Sequence, residues 1–84
     1  MKLRVLYFAS LREALGPGGE IEVPDSVADI AGLRAWLAGQ GEPAATALGA
    51  GRNVRAALDQ RLALPETPLA AGAEVAFFLP VTGG

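Results

Sequence analysis

The first residues of the chain alternate between hydrophobic and polar side chains, with the period of two that is typical of a strand covered on one face. Within residues 2–8, the apolar side chains that face one way are Leu3, Val5 and Tyr7. Polar Lys2 and Arg4 face the other way. Residues 74–79 alternate in the same manner, with Val75, Phe77 and Leu79 on one side. The pattern therefore predicts a first and a last strand that each bury one face.

The middle of the chain has the 3.6-residue period of a helix. The apolar residues that share one helical stripe are Val27, Ile30, Leu33, Trp36 and Leu37. Ser26 followed three residues later by Asp29 matches the capping-box pattern, and glycines 39 and 41 are typical of a helix end. We therefore predict one main helix, with Ser26 as its N-cap.

The remaining elements are short. Residues 10–15 predict a short helix in which Ser10 and Glu13 form a second capping box, and residues 43–48 predict another short helix. The further predicted strands are 20–23, 53–58 and 62–64. Strands one and two are expected to pair as a wide antiparallel hairpin. This order indicates an α+β domain with a mixed sheet of about five strands packed on one main helix, in the β-grasp manner.

The outer side of the predicted sheet carries apolar residues where solvent would favour polar ones. Alternation places Leu6 and Phe8 of the first strand, and Phe78 of the last, away from the core. If the first and last strands are neighbours, these residues form a patch that Leu62 would extend. A contiguous exposed apolar patch typically marks a partner surface. A shift of the face assignment by one residue would instead bury Phe8 and Phe78.

Composition narrows the possible functions. The 84 residues suit one small domain, 51% of them are hydrophobic, and the chain has no cysteine and no histidine. It therefore lacks the commonest metal ligand and general base, and catalytic side chains of its own are not expected. A net charge of −2 with seven basic residues predicts no nucleic-acid partner. No apolar run is long enough to cross a membrane, so we expect a cytoplasmic protein. Because cysteine and histidine are absent, we also expect that it holds no metal and no bound cofactor.

The C-terminus is the candidate reactive group. We divide the chain into a folded domain over residues 1–79 and a flexible tail over residues 80–84. Pro80 would end strand pairing, Val81 and Thr82 follow it, and Gly83 and Gly84 could pass through a narrow channel. The Gly84 carboxylate could be activated as an acyl adenylate. Because the sequence has no phosphate-binding motif, the ATP site for that step is expected in a partner enzyme.

The two ends of the chain together resemble the small subunits of molybdopterin synthase, which are ubiquitin-like sulfur carriers. The similar segments are VAFFLPVTGG at residues 75–84, VLYFA at residues 5–9, Leu11-Arg12-Glu13 and Gly16. The resemblance implies a β-grasp fold and adenylation of Gly84 by an E1-like adenylyltransferase. A persulfide sulfur donor would then convert Gly84 to a thiocarboxylate, which delivers sulfur to cyclic pyranopterin monophosphate for molybdenum cofactor.

The resemblance also implies a partner and an assembly. The tail would insert into the large subunit of the synthase, within a heterotetramer. The positions that match the family's apolar contact with the large subunit are Phe8, Leu62 and Phe78. The chain would then be a subunit that donates sulfur without being catalytic itself.

Departures from the family pattern keep other functions open. Family members often have asparagine in place of Asp59, acidic residues in place of Ala71 and Ala73, and proline in place of Leu79. The alternatives are a sulfur carrier for thiamine or for tRNA thiolation, and a ubiquitin-like modifier joined to proteins through Gly84. A β-grasp interaction module with an inert tail is a further alternative.

Overall fold

The computed structural model of the chain describes residues 1–80, which form five strands and three helices. The strands are β1 (Lys2–Tyr7), β2 (Gly18–Glu22), β3 (Arg55–Leu58), β4 (Arg61–Ala63) and β5 (Glu74–Phe78). The helices are α1 (Ala9–Leu15), α2 (Ile30–Ala38) and α3 (Ala44–Ala47). Every element expected from the pattern is present, with ends that differ by up to a few residues. The largest difference is at α2, which begins at Ile30.

The five strands form one mixed sheet in the order β2-β1-β5-β3-β4. Strands β1 and β5 are parallel neighbours, and the other pairs are antiparallel. The predicted antiparallel hairpin of the first two strands and the neighbouring first and last strands are both confirmed. This is the β-grasp architecture, in which the chain returns to the sheet centre with its last strand.

The core lies between the sheet and α2. The sheet residues that point to it include Leu3, Val5, Tyr7, Val75 and Phe77, which are all buried. The rings of Tyr7 and Phe77 stack with their centres 6.3 Å apart. From α2, Ile30, Leu33 and Leu37 are buried against them, and Trp36 is half-buried. The predicted core faces of the first and last strands and of the main helix are therefore confirmed.

The predicted N-cap of the main helix is wrong. Asp29 is the N-cap of α2, and its Oδ1 accepts a hydrogen bond from the N–H of Gly32 at 2.7 Å. The chain is extended at Asp29, and the loop that precedes β5 binds the backbone next to it, with the N–H of Leu69 donating to the carbonyl of Ala28 at 2.9 Å. Ser26 is consequently outside the helix and exposed.

The predicted capping box of the first helix is also wrong. The backbone carbonyl of Phe8 accepts from the N–H groups of Leu11 and Arg12, at 3.1 and 3.3 Å, so Phe8 occupies the cap position without a side-chain hydrogen bond. The N–H of Phe8 itself donates to the carbonyl of Phe77 at 3.1 Å. Helix α1 thus begins at Ala9 because the end of β1 is held against β5, and Ser10 lies inside the helix.

Two glycines shape the entry into β2. Gly16 and Gly18 have φ values of +83° and +88°, in the region that side chains disfavour. A Cβ at Gly16 would meet open space, whereas a Cβ at Gly18 would overlap the backbone carbonyl of Val5. Gly18 therefore allows β2 to approach β1 closely, opposite Leu6.

Candidate functional site

The side of the sheet opposite α2 carries the predicted patch, and the strand register shows how its members are arranged. Leu6 of β1 aligns with Ala76 of β5, Ala76 aligns with Ala57 of β3, and Ala57 aligns with Leu62 of β4. Leu6 and Leu62 therefore lie in one row, three strand spacings or roughly 14 Å apart. The two residues between them are alanines, so the middle of this row has only small apolar side chains.

A second row lies one step nearer the C-terminal end of β5. Phe78 aligns with Arg55 of β3, and the register continued by one residue puts Phe8 beside Phe78 and Leu64 beside Arg55. Phe8 is 46% exposed and Leu64 is 61% exposed, whereas Phe78 is half-buried between its neighbours. The row therefore presents three large apolar side chains and one guanidinium.

We define the outer apolar surface as Leu6, Phe8, Leu62, Leu64 and Phe78. The structure places the four predicted members, Leu6, Phe8, Leu62 and Phe78, on this one face. Leu62 is the most exposed of them, at 81%, and Leu6 is half-buried. Phe8 and Phe78 are not core residues, so the one-residue shift of the face assignment is excluded.

Leu64 was missed from the sequence. It follows Leu62 by two residues, so strand alternation would have placed it on the same face. Strand β4 ends at Ala63, and the β3–β4 register continued by one residue puts Leu64 on the same side as Leu62 and Arg55. With Leu64 included, the outer apolar surface has two leucines at the free edge of the sheet, Leu62 in β4 and Leu64 just beyond it.

Charged groups occupy the other end of the same face. Arg4 aligns with Glu20 of β2 and with Glu74 of β5, and its guanidinium lies 3.7 Å from the carboxylate of Glu20. Lys2 lies 3.9 Å from the same carboxylate. These pairs are exposed and contribute little stability. They make the outer face polar at one end and apolar at the end where β5 runs out.

Strand β5 ends beside the outer apolar surface, and the predicted tail begins shortly after that point. Leu79 packs against the core, and Pro80 is half-buried. Pro80 has no N–H, so it cannot continue the ladder. The predicted tail residues Val81, Thr82, Gly83 and Gly84 lie outside the described residues. Gly84, where the reactive group is predicted, is therefore the fourth residue after Pro80 in the sequence.

The departures from the family pattern separate into two places. Asp59 forms the β3–β4 turn, and its Oδ1 accepts from the N–H of Glu74 at 3.0 Å, at the far end of the sheet from the tail. Residues 71–73 precede β5 at that same end. Leu79 alone stands at the tail root. Asp59 therefore has a structural role, which is to tie the turn to the start of β5.

A groove of about 660 Å³ lies between α2 and the β3–β4 side of the sheet. Its helix wall is built from small side chains, Ala31, Ala35 and Ala38, and Phe77 lies at its floor. Leu64 and Arg55 also line it, so it meets the outer apolar surface at the β4 edge. Of the residues predicted for the site from the sequence, those up to Pro80 do not line the groove.

The groups with shifted pKa values, the amino terminus and Tyr7, lie away from the outer apolar surface. The amino terminus of Met1 donates to the carboxylate of Glu22 at 2.8 Å, and this contact raises the pKa of the amine above its usual 8.0. Burial raises the pKa of Tyr7, which faces the core. Within residues 1–80 no three carboxylates are grouped as a metal site would require. None of the three helices is long and apolar enough to cross a membrane.

Known proteins are similar to this chain in sequence and in fold. The family profile described as ThiS family matches residues 5–84. The molybdopterin synthase sulfur carrier subunit of Escherichia coli K12 is 42% identical over 82 residues, which cover 98% of this chain and 99% of that protein.

Two solved structures have the same fold over nearly all of the chain. A putative molybdopterin converting factor subunit 1 from Pyrococcus furiosus is 25% identical, with a TM-score of 0.77 and coverage of 96% of this chain and 99% of that one. A protein-protein complex of subunits 1 and 2 of molybdopterin-converting factor from Helicobacter pylori contains a chain that is 26% identical. Its TM-score is 0.63, and all of both chains is covered.

The full-length match to a sulfur carrier subunit and the common β-grasp fold agree with the profile match. The resemblance inferred from the two ends of the sequence is confirmed. This chain belongs to the ThiS family.

Proposed function

We propose that this chain is the sulfur carrier subunit of a molybdopterin synthase. The observation that carries the proposal is the outer apolar surface ending at the root of a Gly-Gly tail, since Phe78 is two residues from Pro80. The outer apolar surface could bind a partner while the tail inserts into that same partner. The near-full-length relative in Escherichia coli supports the same function.

The chemistry of the proposal takes place at the Gly84 carboxylate. One carboxylate oxygen attacks the α-phosphate of ATP, pyrophosphate leaves, and an acyl adenylate forms. The terminal sulfur of the donor persulfide then displaces AMP from the acyl carbon and forms an acyl disulfide. A thiol of the donor system attacks the other sulfur of that bond, so the thiocarboxylate leaves and the donor keeps a disulfide. This chain would bind no cofactor, because an E1-like adenylyltransferase would hold the ATP. A persulfide donor system would provide the sulfur.

The delivery step needs the second partner. We propose that the charged tail enters the large subunit of the synthase and gives its sulfur to cyclic pyranopterin monophosphate. The complex of subunits 1 and 2 from Helicobacter pylori supports a large-subunit partner. The proposed assembly is a heterotetramer in the cytoplasm, with Leu6, Phe8, Leu62 and Phe78 in contact with the large subunit. Leu64 joins them because it lies on the same surface.

The first test is intact mass spectrometry after incubation with ATP, a sulfur donor and the cognate E1-like enzyme. The expected result is the mass increase for exchange of one oxygen by sulfur, located on Gly84 by fragmentation. The matched control is a chain extended by one alanine after Gly84, which keeps the fold and moves the carboxylate. Modification of the extended chain to the same extent would contradict a reaction that depends on a terminal glycine.

The second test identifies the acceptor. Thiocarboxylated protein is mixed with the large subunit and cyclic pyranopterin monophosphate, and the pterin product is measured. Formation of the dithiolene product supports the proposal. Sulfur transfer in a thiazole or tRNA thiolation assay with no pterin product would favour another sulfur carrier. Lysine conjugates through Gly84 in cell extract would favour a protein modifier.

A further inference from the structure

Arg55 occupies an unusual place for a charged residue. It is exposed, and it lies in the second row of the outer face between Phe78 and Leu64. The neighbouring row toward the sheet centre contains only Leu6, alanines and Leu62. Arg55 is thus a single cation set among the side chains of the outer apolar surface.

Within residues 1–80, no carboxylate pairs with the Arg55 guanidinium. The ion pairs in that part of the chain are made by the amino terminus, Lys2 and Arg4. Arg34, in contrast to Arg55, has a structural role in this fold. Its guanidinium donates to the carbonyls of Leu48, Gly49 and Arg52 at 2.6 to 2.9 Å. Arg55 makes no corresponding hydrogen bond among the described residues.

A partner that covers the outer apolar surface must also meet this guanidinium. Removing an arginine from water without a counter-charge is costly, because the interior of a contact cannot replace its hydration. Arginine also presents a planar set of donors that matches a carboxylate in two parallel hydrogen bonds. An apolar partner surface with a carboxylate opposite position 55 fits both features.

We propose that the large subunit places an aspartate or glutamate against Arg55, so that this pair determines which large subunits the carrier accepts. The inference rests on the proposed function, since it needs the large subunit as the partner. The apolar side chains provide contact area that any similar β-grasp carrier could offer. The charge adds discrimination, because a partner with a neutral or basic residue at that point would leave Arg55 unpaired.

The first experiment measures the dissociation constant of the carrier and its large subunit for four proteins: wild type, Arg55→Gln, Arg55→Glu and Arg61→Glu. Arg61 is the matched control, because it is exposed but aligns with Leu58, on the other side of the sheet. We expect Arg55→Gln to weaken binding about 10-fold and Arg55→Glu about 100-fold, with Arg61→Glu unchanged. Wild-type affinity for Arg55→Glu would overturn the inference.

This design separates the inference from the proposed function. If the wild-type carrier does not bind the large subunit, the proposed function itself fails. If the wild type binds and all variants bind equally, only the role of Arg55 fails. An equal loss for Arg55→Glu and Arg61→Glu would also overturn it, since that result reflects net charge instead of a specific pair.

The second experiment identifies the carboxylate. Lys2 is the only lysine of the chain and lies at the polar end of the sheet, so Arg55→Lys introduces a unique amine within the outer apolar surface. A carbodiimide joins an amine to a carboxylate in direct contact. We expect a cross-link from position 55 to one acidic residue of the large subunit, and charge reversal there should restore binding of Arg55→Glu. A complex that forms with Arg55→Lys but gives no such cross-link would overturn the inference.

Discussion

Phe77 and Phe78 are neighbours in the chain, but the structure predicts opposite consequences when they are changed. Phe77 is fully buried in the central strand β5 and stacks on Tyr7. Phe78 points to the outer face and is half-buried. We expect Phe77→Ala to destabilise the domain and Phe78→Asp to weaken binding to the large subunit while leaving the fold intact.

The magnitudes follow from burial. Truncating a buried phenylalanine to alanine costs about 3–5 kcal/mol, because the transfer free energy is lost and a cavity remains. A domain of this size has an unfolding free energy of about 4–13 kcal/mol, so this loss is a large share. Phe78→Asp removes only part of the burial and lowers strand propensity, for a cost of about 1–2 kcal/mol. A charge at the centre of the contact should weaken binding by about 30-fold or more.

The assay is urea unfolding followed by the fluorescence of Trp36, the single tryptophan, which is half-buried on α2. Binding to the large subunit is measured on the same proteins by titration calorimetry. Phe78→Leu is the control, because it keeps an apolar side chain at that position and should retain most of both properties. The reasoning would be refuted if Phe78→Asp lost as much stability as Phe77→Ala, or if it bound like the wild type.

Three further predictions concern particular features of the fold, and each is tested by urea unfolding. Gly16→Ala should cost about 1–2 kcal/mol from its positive φ, and Gly18→Ala clearly more because its Cβ also overlaps β1; equal costs would contradict that overlap. Asp29→Ala should cost about 1 kcal/mol and Ser26→Ala almost nothing, and the reverse order would mean that the helix begins earlier. The amino terminus has a raised pKa in the folded state because it contacts Glu22. Its contribution to the stability of the fold is therefore present below about pH 8 and is lost as the pH rises through the raised pKa. Stability should therefore fall as the pH rises above about 8, and Glu22→Gln should flatten this fall; an unchanged slope would exclude the contact.

Much of the fold could be predicted because its strongest signals are local. The first and last strands alternate over five or six residues, and the main helix has an apolar stripe, so each pattern identifies both the element and its buried face. These patterns placed Leu3, Val5 and Phe77 in the core and put Phe8 and Phe78 outside it. The reactive tail was also predicted from sequence, as a chemical property of two terminal glycines, and its residues after Pro80 lie outside the described structure.

The errors arose where a distant segment determined the local conformation. The capping pattern at Ser26 was a valid local signal, but the loop before β5 holds residues 28–31 by backbone hydrogen bonds and moves the helix start to Ile30. In the same way, the hydrogen bond from Phe8 to Phe77 moves the start of α1 to Ala9. Local propensity differs by only about 1 kcal/mol between such alternatives, so a few long-range hydrogen bonds decide between them.

The sequence by itself determined which residues are buried on each element, because the period of a hydrophobic pattern is a property of neighbouring residues. Only the tertiary structure decided which exposed residues become neighbours of one another. The register of β5 with β3 and of β3 with β4 puts Arg55 beside Phe78 and adds Leu64 to the same surface. That register depends on pairing between strands far apart in the chain, and no local pattern specifies it.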